Sequence, residues 1–147
     1  MSRIKNLAAG LAGAITLNVL HESLKEKSQD MPRVDLLGED ALQKTLHYFG
    51  AHIQNKENLY QASLAGDIIG NTLYYSLIGA GNSKYLWPKV AIMGLSAGIG
   101  AITLPQPMGL DPEPVAKNNR VKTLTIGYYL LGAVVTGLVL TMIKKSC

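Results

Sequence analysis

The sequence predicts an all-α integral membrane protein that folds as a four-helix bundle. Two observations predict this class: only 16% of the 147 residues are charged, and the charges leave four long apolar stretches almost free of them. A helix rises about 1.5 Å per residue, so about 20 apolar residues cross the hydrocarbon of a bilayer. The four stretches approach this length: residues 4–20, 59–80, 86–104 and 124–143. We therefore expect a single transmembrane domain over residues 1–147.

The first stretch also resembles the apolar part of a secretory signal peptide. Arg3 and Lys5 precede an apolar run that is rich in small residues. The run continues into Asn18 and His21 without a small-x-small cleavage site. These features favour a retained membrane span over a cleaved leader.

The first loop, residues 21–58, is the longest polar segment of the chain. It begins by prolonging the first helix, which Pro32 then ends because proline lacks a backbone donor. From Gly38 onward, a residue that permits a positive φ, apolar residues recur at helical spacing. These residues are Leu42, Leu46, Phe49 and Ile53. The pattern predicts an amphipathic helix, either lying at the membrane interface or packed on the bundle.

The two remaining loops differ in length and composition. The second, residues 81–84, is short and predicts an antiparallel hairpin of the second and third spans. The third, residues 105–122, contains four prolines and is expected to be an extended, ordered loop.

Two short motifs suggest an internal duplication. Residues 13–17 and 100–104 both read Gly-Ala-Ile-Thr-Leu, and the Tyr-Tyr pair at 74–75 recurs at 128–129. A duplication would make the bundle two related helical hairpins. Chance similarity between apolar segments is the alternative.

Glycines spaced four residues apart, such as Gly66 with Gly70 and Gly94 with Gly98, recur in the predicted spans. The last span also contains Gly127. Such notches let membrane helices approach closely, within one chain or between chains. A homo-oligomer or a partner membrane subunit is therefore expected.

The basic residues of the chain are best explained as flanks of membrane spans. The net charge is +4 and the isoelectric point is near 9.2, but no basic stripe is interleaved with aromatic residues, so no nucleic acid partner is expected. The termini and the second loop carry basic residues and no acidic ones: Arg3, Lys5, Lys84, Lys89, Lys144 and Lys145. The other loops have more basic residues in total, mixed with acidic ones. Because local density guides insertion, both termini are expected in the cytoplasm.

Asp67 is the most informative residue, because an ionised carboxylate within an apolar stretch usually faces a protein interior or water. Asn71 lies one turn later, and Tyr74 follows at helical spacing. This set predicts a proton or cation site. Alternatively, Asp67 lies close enough to the end of the span to reach headgroups or cap a loop.

A second polar group is expected where the first span leaves the membrane. Asn18 and His21 share a helix face, and Glu22 is adjacent. Together with Asp67 they could act as acid and base, or His21 and Glu22 could hold a metal. No second His at i+4 and no Cys pair accompanies them, so no zinc motif is present. A solvated helix end with a paired His is the alternative.

The segment 32–39 predicts a specified turn between two helices. Arg33 and Asp35 are spaced to pair with each other or to fold back on the helix ends. Alternatively, Arg33 could bind the phosphate of a lipid headgroup.

The chain has no nucleophile elbow, phosphate-binding glycine loop or metalloprotease motif, so no cofactor is expected and an enzyme is disfavoured. The single cysteine, Cys147, has no partner for an intramolecular disulfide and is not followed by a prenylation box.

Three segments carry a resemblance to known sequences: Asn18-Val19-Leu20-His21-Glu22, residues 32–39 and residues 104–110. Over these segments the chain resembles small uncharacterised bacterial multi-pass membrane proteins. The resemblance implies a bacterial inner membrane and no particular activity.

Three classes of function are compatible with these features. The first is proton- or cation-linked transport through a carboxylate within the membrane. The second is a non-catalytic subunit or scaffold of a membrane complex. The third is a membrane-embedded enzyme that acts on a lipid-like substrate at the outer interface.

Overall fold

The computed structural model describes residues 2–146, and Cys147 lies outside this range. Within it the chain contains six α-helices and no β-strand, which confirms the all-α class. The helices are α1 (Arg3–Leu24), α2 (Val34–Tyr48), α3 (Lys56–Ser76), α4 (Leu86–Thr103), α5 (Glu113–Ala116) and α6 (Asn119–Lys145). Two 3-10 turns, Leu77–Gly79 and Ser83–Tyr85, connect α3 to α4.

Polar side chains that precede the long helices determine where these begin. The Ser2 hydroxyl accepts a hydrogen bond from the Lys5 N–H at the start of α1. Asn55 accepts the N–H of Glu57 before α3, and Asn118 accepts the Val121 N–H before α6, both at 2.9 Å. Each cap satisfies a backbone donor that the first helical turn leaves without a partner.

α1 and α6 form the centre of the molecule. α1 packs against α3 on one side and against α6 on the other, and α6 in turn packs against α4. The buried Tyr75 of α3 reaches α6, where its hydroxyl donates to the Tyr129 carbonyl at 2.7 Å. α3 and α4, the expected hairpin, therefore have α1 and α6 as their main packing partners.

Three helical segments are long and apolar enough to cross a membrane: Arg3–Leu24, Ser83–Thr103 and Asn119–Lys145. They correspond to the first, third and fourth predicted spans. α3 is not among them, because it contains polar residues and ends at Ser76, before the predicted limit at residue 80.

α2 differs from its predicted limits, since it begins at Val34 and ends at Tyr48. It packs against α3 and α5. Gly38 does not adopt the positive φ that it permits, because this residue lies inside the helix. Its small size serves close packing instead: a Cβ at this position would lie 2.6 Å from the Ser63 hydroxyl.

The extended third loop is also a wrong expectation, because residues 104–110 form tight turns. The Met108 N–H bonds to the Leu104 carbonyl at 3.2 Å, and the Leu110 N–H bonds to the Pro105 carbonyl at 2.8 Å. Proline fits the first turn of a helix, where its missing donor costs nothing, and Gly109 ends the turns with a φ of +77°.

The first and third loops meet at one end of the molecule. The Arg33 N–H donates to the Pro114 carbonyl at 2.8 Å, and the Asn118 amide donates to Asp30 at 3.0 Å. At the other end Lys144 donates to the Ser83 hydroxyl at 3.1 Å, which joins α6 to the turn before α4. Polar contacts therefore join the helix ends and loops at both ends of the molecule.

Glycine notches determine how closely the helices pack. A Cβ added at Gly98 of α4 would lie 2.6 Å from the Cα of Ile126 in α6, and one at Gly94 would lie 3.0 Å from the Ala133 side chain. By contrast, a Cβ at Gly66, Gly70 or Gly127 would meet nothing within 4 Å. A neighbouring helix of the same chain therefore fills the notches at Gly94 and Gly98, whereas those at Gly66, Gly70 and Gly127 are open.

Gly98→Ala should destabilise the fold by about 2 kcal/mol, because the added methyl overlaps helix backbone that cannot rotate away. Thermal unfolding in detergent measures the change. Gly127→Ala, on the partner helix, is the matched control and should leave stability unchanged or raise it by about 0.5 kcal/mol through helix propensity. Equal destabilisation by both substitutions would contradict the close approach of α4 and α6.

Candidate functional site

A narrow polar cavity lies where the end of α1 meets the start of α2 and the middle of α3. Its volume is about 20 Å³, which leaves room for about one water molecule. Five of the predicted site residues line it: Asn18, His21, Glu22, Asp35 and Asp67. These residues come from three different helices, and the fold brings them together.

His21 lies at the centre of the carboxylates. Its Nδ1 is 3.4 Å from a Glu22 oxygen, and its Nε2 is 3.2 Å from an Asp35 oxygen. Its side chain is only 3% exposed. The Nε2 contact does not have hydrogen-bond geometry, so packing in the buried site holds the ring more than a directed bond from this nitrogen does.

Asp35 is the most heavily paired carboxylate of the site. Arg33 binds it through two hydrogen bonds, from Nε at 2.9 Å and from Nη2 at 2.7 Å. Burial raises the pKa of Asp35, but His21 and Arg33 outweigh this effect and hold the pKa well below its usual range. Asp35 therefore remains ionised in the folded protein at any ordinary pH.

Lys25 belongs to the same cluster, although the sequence reasoning missed it. Its Nζ is 2.8 Å from Glu22 and 3.6 Å from Asp35, and it lies 4.8 Å from the ring centre of Tyr60. Its position three residues after Glu22, on the same helix face, was the available signal. The positive charges of Lys25 and Arg33 thus balance the negative charges of Glu22 and Asp35.

Asp67 lacks such a balance. The Asn71 amide donates to it at 3.0 Å, and the Asn18 amide is a second, uncharged partner. None of the ion pairs formed within residues 2–146 includes Asp67. Asp67 therefore lines the same cavity as the ion-paired cluster but is not part of its ion pairs.

Asp67 also lines a second, larger space of about 460 Å³ between α3 and α4. Asn71 and Tyr74 lie in the wall of this groove and not in that of the small cavity. The Tyr74 hydroxyl donates to the Met93 carbonyl of α4 at 2.9 Å. The predicted set Asp67, Asn71 and Tyr74 thus forms one wall of a groove, and Asp67 alone also belongs to the polar cavity.

The predicted metal role of His21 and Glu22 has little structural support. No group of three or more His, Cys, Asp or Glu side chains within residues 2–146 is arranged to hold a metal ion. Lys25 and Arg33 already occupy the carboxylate oxygens that a cation would need.

Asp35→Asn should lower the free energy of unfolding by about 3 kcal/mol, because it leaves Arg33 and Lys25 without their shared carboxylate in a largely buried site. Because the native pKa of Asp35 is depressed, its contribution is present above the pKa of an unfolded aspartate, about 3.9, and is lost below it. The difference between the wild type and the variant should therefore shrink as the pH falls below about 4.

Denaturant titration in detergent at several pH values measures this effect. Glu39→Gln, which removes one carboxylate from the same helix, is the matched control and should cost less than about 0.5 kcal/mol. A pH-independent difference for Asp35→Asn would show that the carboxylate is not held ionised by its neighbours.

Comparison of the chain with models of known protein families, with curated proteins and with solved structures finds no match. The polar cavity, the groove and the carboxylate that they share are therefore the basis for assigning a function. Asp67 is the only charged residue that lines both spaces.

Proposed function

We propose that the chain is a membrane-spanning four-helix bundle in which α1, α3, α4 and α6 cross the bilayer. Three of the four are apolar enough by themselves, and α3 packs along α1. Asp67 and Asn71 of α3 bond to each other, which lowers the cost of placing them in hydrocarbon. α2 covers the bundle at the end where the first and third loops meet.

We place both termini in the cytoplasm and the protein in a bacterial inner membrane. The end of the molecule that holds the termini and the second loop has only basic side chains near the helix ends. The resemblance to small bacterial multi-pass membrane proteins supports the same location.

We propose that the protein moves a proton or a small cation, and that Asp67 is the group that binds it. The observation that carries this proposal is that Asp67 lies between two spaces, the polar cavity beneath the first loop and the groove between α3 and α4. A carboxylate that faces two spaces can exchange a charge with either of them. Asn71 is placed to orient it.

The charges around Asp67 favour an exchangeable ion over a fixed one. The titratable groups near it are His21 of α1, Asp35 of α2, Tyr75 of α3 and Tyr129 of α6. The residues that α4 contributes to the groove are small and do not titrate: Ser96, Ala97, Gly100 and Ala101. Glu22 and Tyr60 complete the cavity. Arg33 forms an ion pair with Asp35. Asp67, by contrast, has no ion-pair partner within residues 2–146.

The other two classes of function have weaker support. The cavity that contains His21 and Glu22 holds about one water molecule, which is too little for a lipid-like substrate. A scaffold needs no unpaired carboxylate in its interior, where such a group is costly. The scaffold nevertheless predicts a different outcome in the following test.

Asp67→Asn should abolish pH-dependent flux of protons or monovalent cations across liposomes that contain the purified protein. The substitution preserves size and the hydrogen bond to Asn71 while it removes the charge that binds the ion. Internal pH dyes and cation-sensitive dyes measure the flux at several external pH values.

Glu57→Gln is the matched control, because it removes an exposed carboxylate from the start of the same helix. Its flux should equal that of the wild type. Flux that survives in Asp67→Asn would exclude the carboxylate as the binding group. Absence of flux in the wild type, together with a stoichiometric partner that co-purifies, would favour the scaffold.

We propose in addition that the protein assembles as a homo-oligomer through α3. Gly66 and Gly70 are open notches, and the exposed apolar side chains of Ile69 and Leu73 lie beside them. In lipid, helices associate through such small residues. A second copy would also widen the passage, since four spans alone leave little space.

Gly66→Leu with Gly70→Leu should convert the oligomer to a monomer, because the side chains fill the notch that a partner helix needs. Analytical ultracentrifugation in detergent measures the mass. Gly127→Leu, at an open position on α6, should leave the mass unchanged. A monomeric wild type would contradict this part of the proposal.

A further inference from the structure

The groove between α3 and α4 is large enough for an organic ligand. Its volume of about 460 Å³ falls within the range of small-molecule sites. α2, the turns of residues 104–110 and Tyr129 of α6 also line it. The side chains of Leu104 and Met108 at its rim are 56% and 67% exposed. A ligand can therefore enter from the surface without unfolding the bundle.

Most of the groove wall is apolar. α2 contributes Leu37 and Ala41, α4 contributes Ala97 and Ala101, and the third loop contributes Leu110. A wall of this kind favours a ligand body that gains by leaving water. Methionine at the rim adds a flexible apolar side chain that adapts to different shapes.

The polar atoms of the groove are concentrated on α3. Asp67 is the only charged residue in its lining, and Asn71 and Tyr74 lie next to it along the helix. None of the ion pairs within residues 2–146 neutralises Asp67. The groove thus presents one negative charge on an otherwise apolar surface.

We propose that this groove binds an apolar organic cation, with the positive charge beside Asp67 and the apolar body against α2 and α4. This inference rests on the proposed transport function and identifies its substrate class. Tyr74 and Tyr129 support it, because aromatic rings attract cations. A phosphate-bearing lipid would place a second negative charge beside Asp67, and a bare acyl chain would leave the carboxylate without a partner.

Two isosteric ions of opposite charge test the proposal. Tetraphenylphosphonium and tetraphenylborate have the same apolar shape, so a preference between them reports the charge of the site. Equilibrium dialysis against the detergent-solubilised full chain should show the cation bound at least about tenfold more tightly than the anion. Asp67→Asn should reduce this preference by about tenfold.

Ala97→Trp fills the groove from α4 and should weaken binding of the cation by about tenfold or more. Ala91→Trp is the matched control, because Ala91 is exposed on the same helix and does not line the groove. It should leave the affinity unchanged. Size-exclusion chromatography identifies a variant that fails to fold, and Ala101→Trp then replaces Ala97→Trp.

Equal binding of both ions, unaffected by Ala97→Trp, would overturn the proposal, because it would show partition into the micelle. Failure of this proposal can be distinguished from failure of the transport proposal. Flux that depends on Asp67 without binding of the cation overturns the substrate class and leaves transport in place. Binding that depends on Asp67 without any flux supports the ligand site and contradicts transport.

Discussion

The bidentate bond between Arg33 and Asp35 is the interaction on which the functional end of this molecule depends. It holds the Asp35 carboxylate in place at the first turn of α2, and His21 and Lys25 at the end of α1 contact the same carboxylate. With α2 held there, its next turn covers both the polar cavity and the groove.

Charge is distributed unevenly between the two carboxylates of this region. Asp35 has a surplus of cationic neighbours, so it is a structural anchor whose ionisation does not change at physiological pH. Asp67 has amide partners and no ion pair within residues 2–146. The same helices therefore hold one carboxylate that is fixed and one that is available to an ion or a ligand. This separation lets the anchor stay intact when the charge at Asp67 changes.

The sequence was sufficient to predict the helical class and the residues of the candidate site, but not how the helices pair. Apolar length and charge spacing predicted four spans, and three of these correspond to helical segments that are long and apolar enough to cross a membrane. The contacts between the helices depend on which glycine notch meets which backbone, and Gly66 and Gly98 look the same in sequence. Only the packing of the helices distinguishes the two glycines, because Gly66 is open and Gly98 lies against Ile126.

The errors have the same origin. Gly38 and the third loop were assigned from the conformational preferences of glycine and proline, and tertiary contacts determined the outcome in both cases. A buried Ser63 required a residue without a side chain inside α2, and the prolines fit the tight turns that begin at Leu104. Lys25 was missed because a lysine near a span end is also explained by membrane topology. Its pairing with Asp35 depends on the return of the chain through Arg33, which a local pattern does not show.

The position of Asp67 relates the fold to the proposed function. A carboxylate at the end of a span would be solvated, and one inside a tight helix contact would be neutralised or absent. Asp67 lies at neither place, because α3 packs on α1 while its other side faces a groove that α4 does not fill. The divergence of α3 from α4 thus creates the space for a ligand, and the anchor at Asp35 keeps that space covered. A charge beside Asp67 therefore meets apolar walls on one side and a balanced ionic cluster on the other.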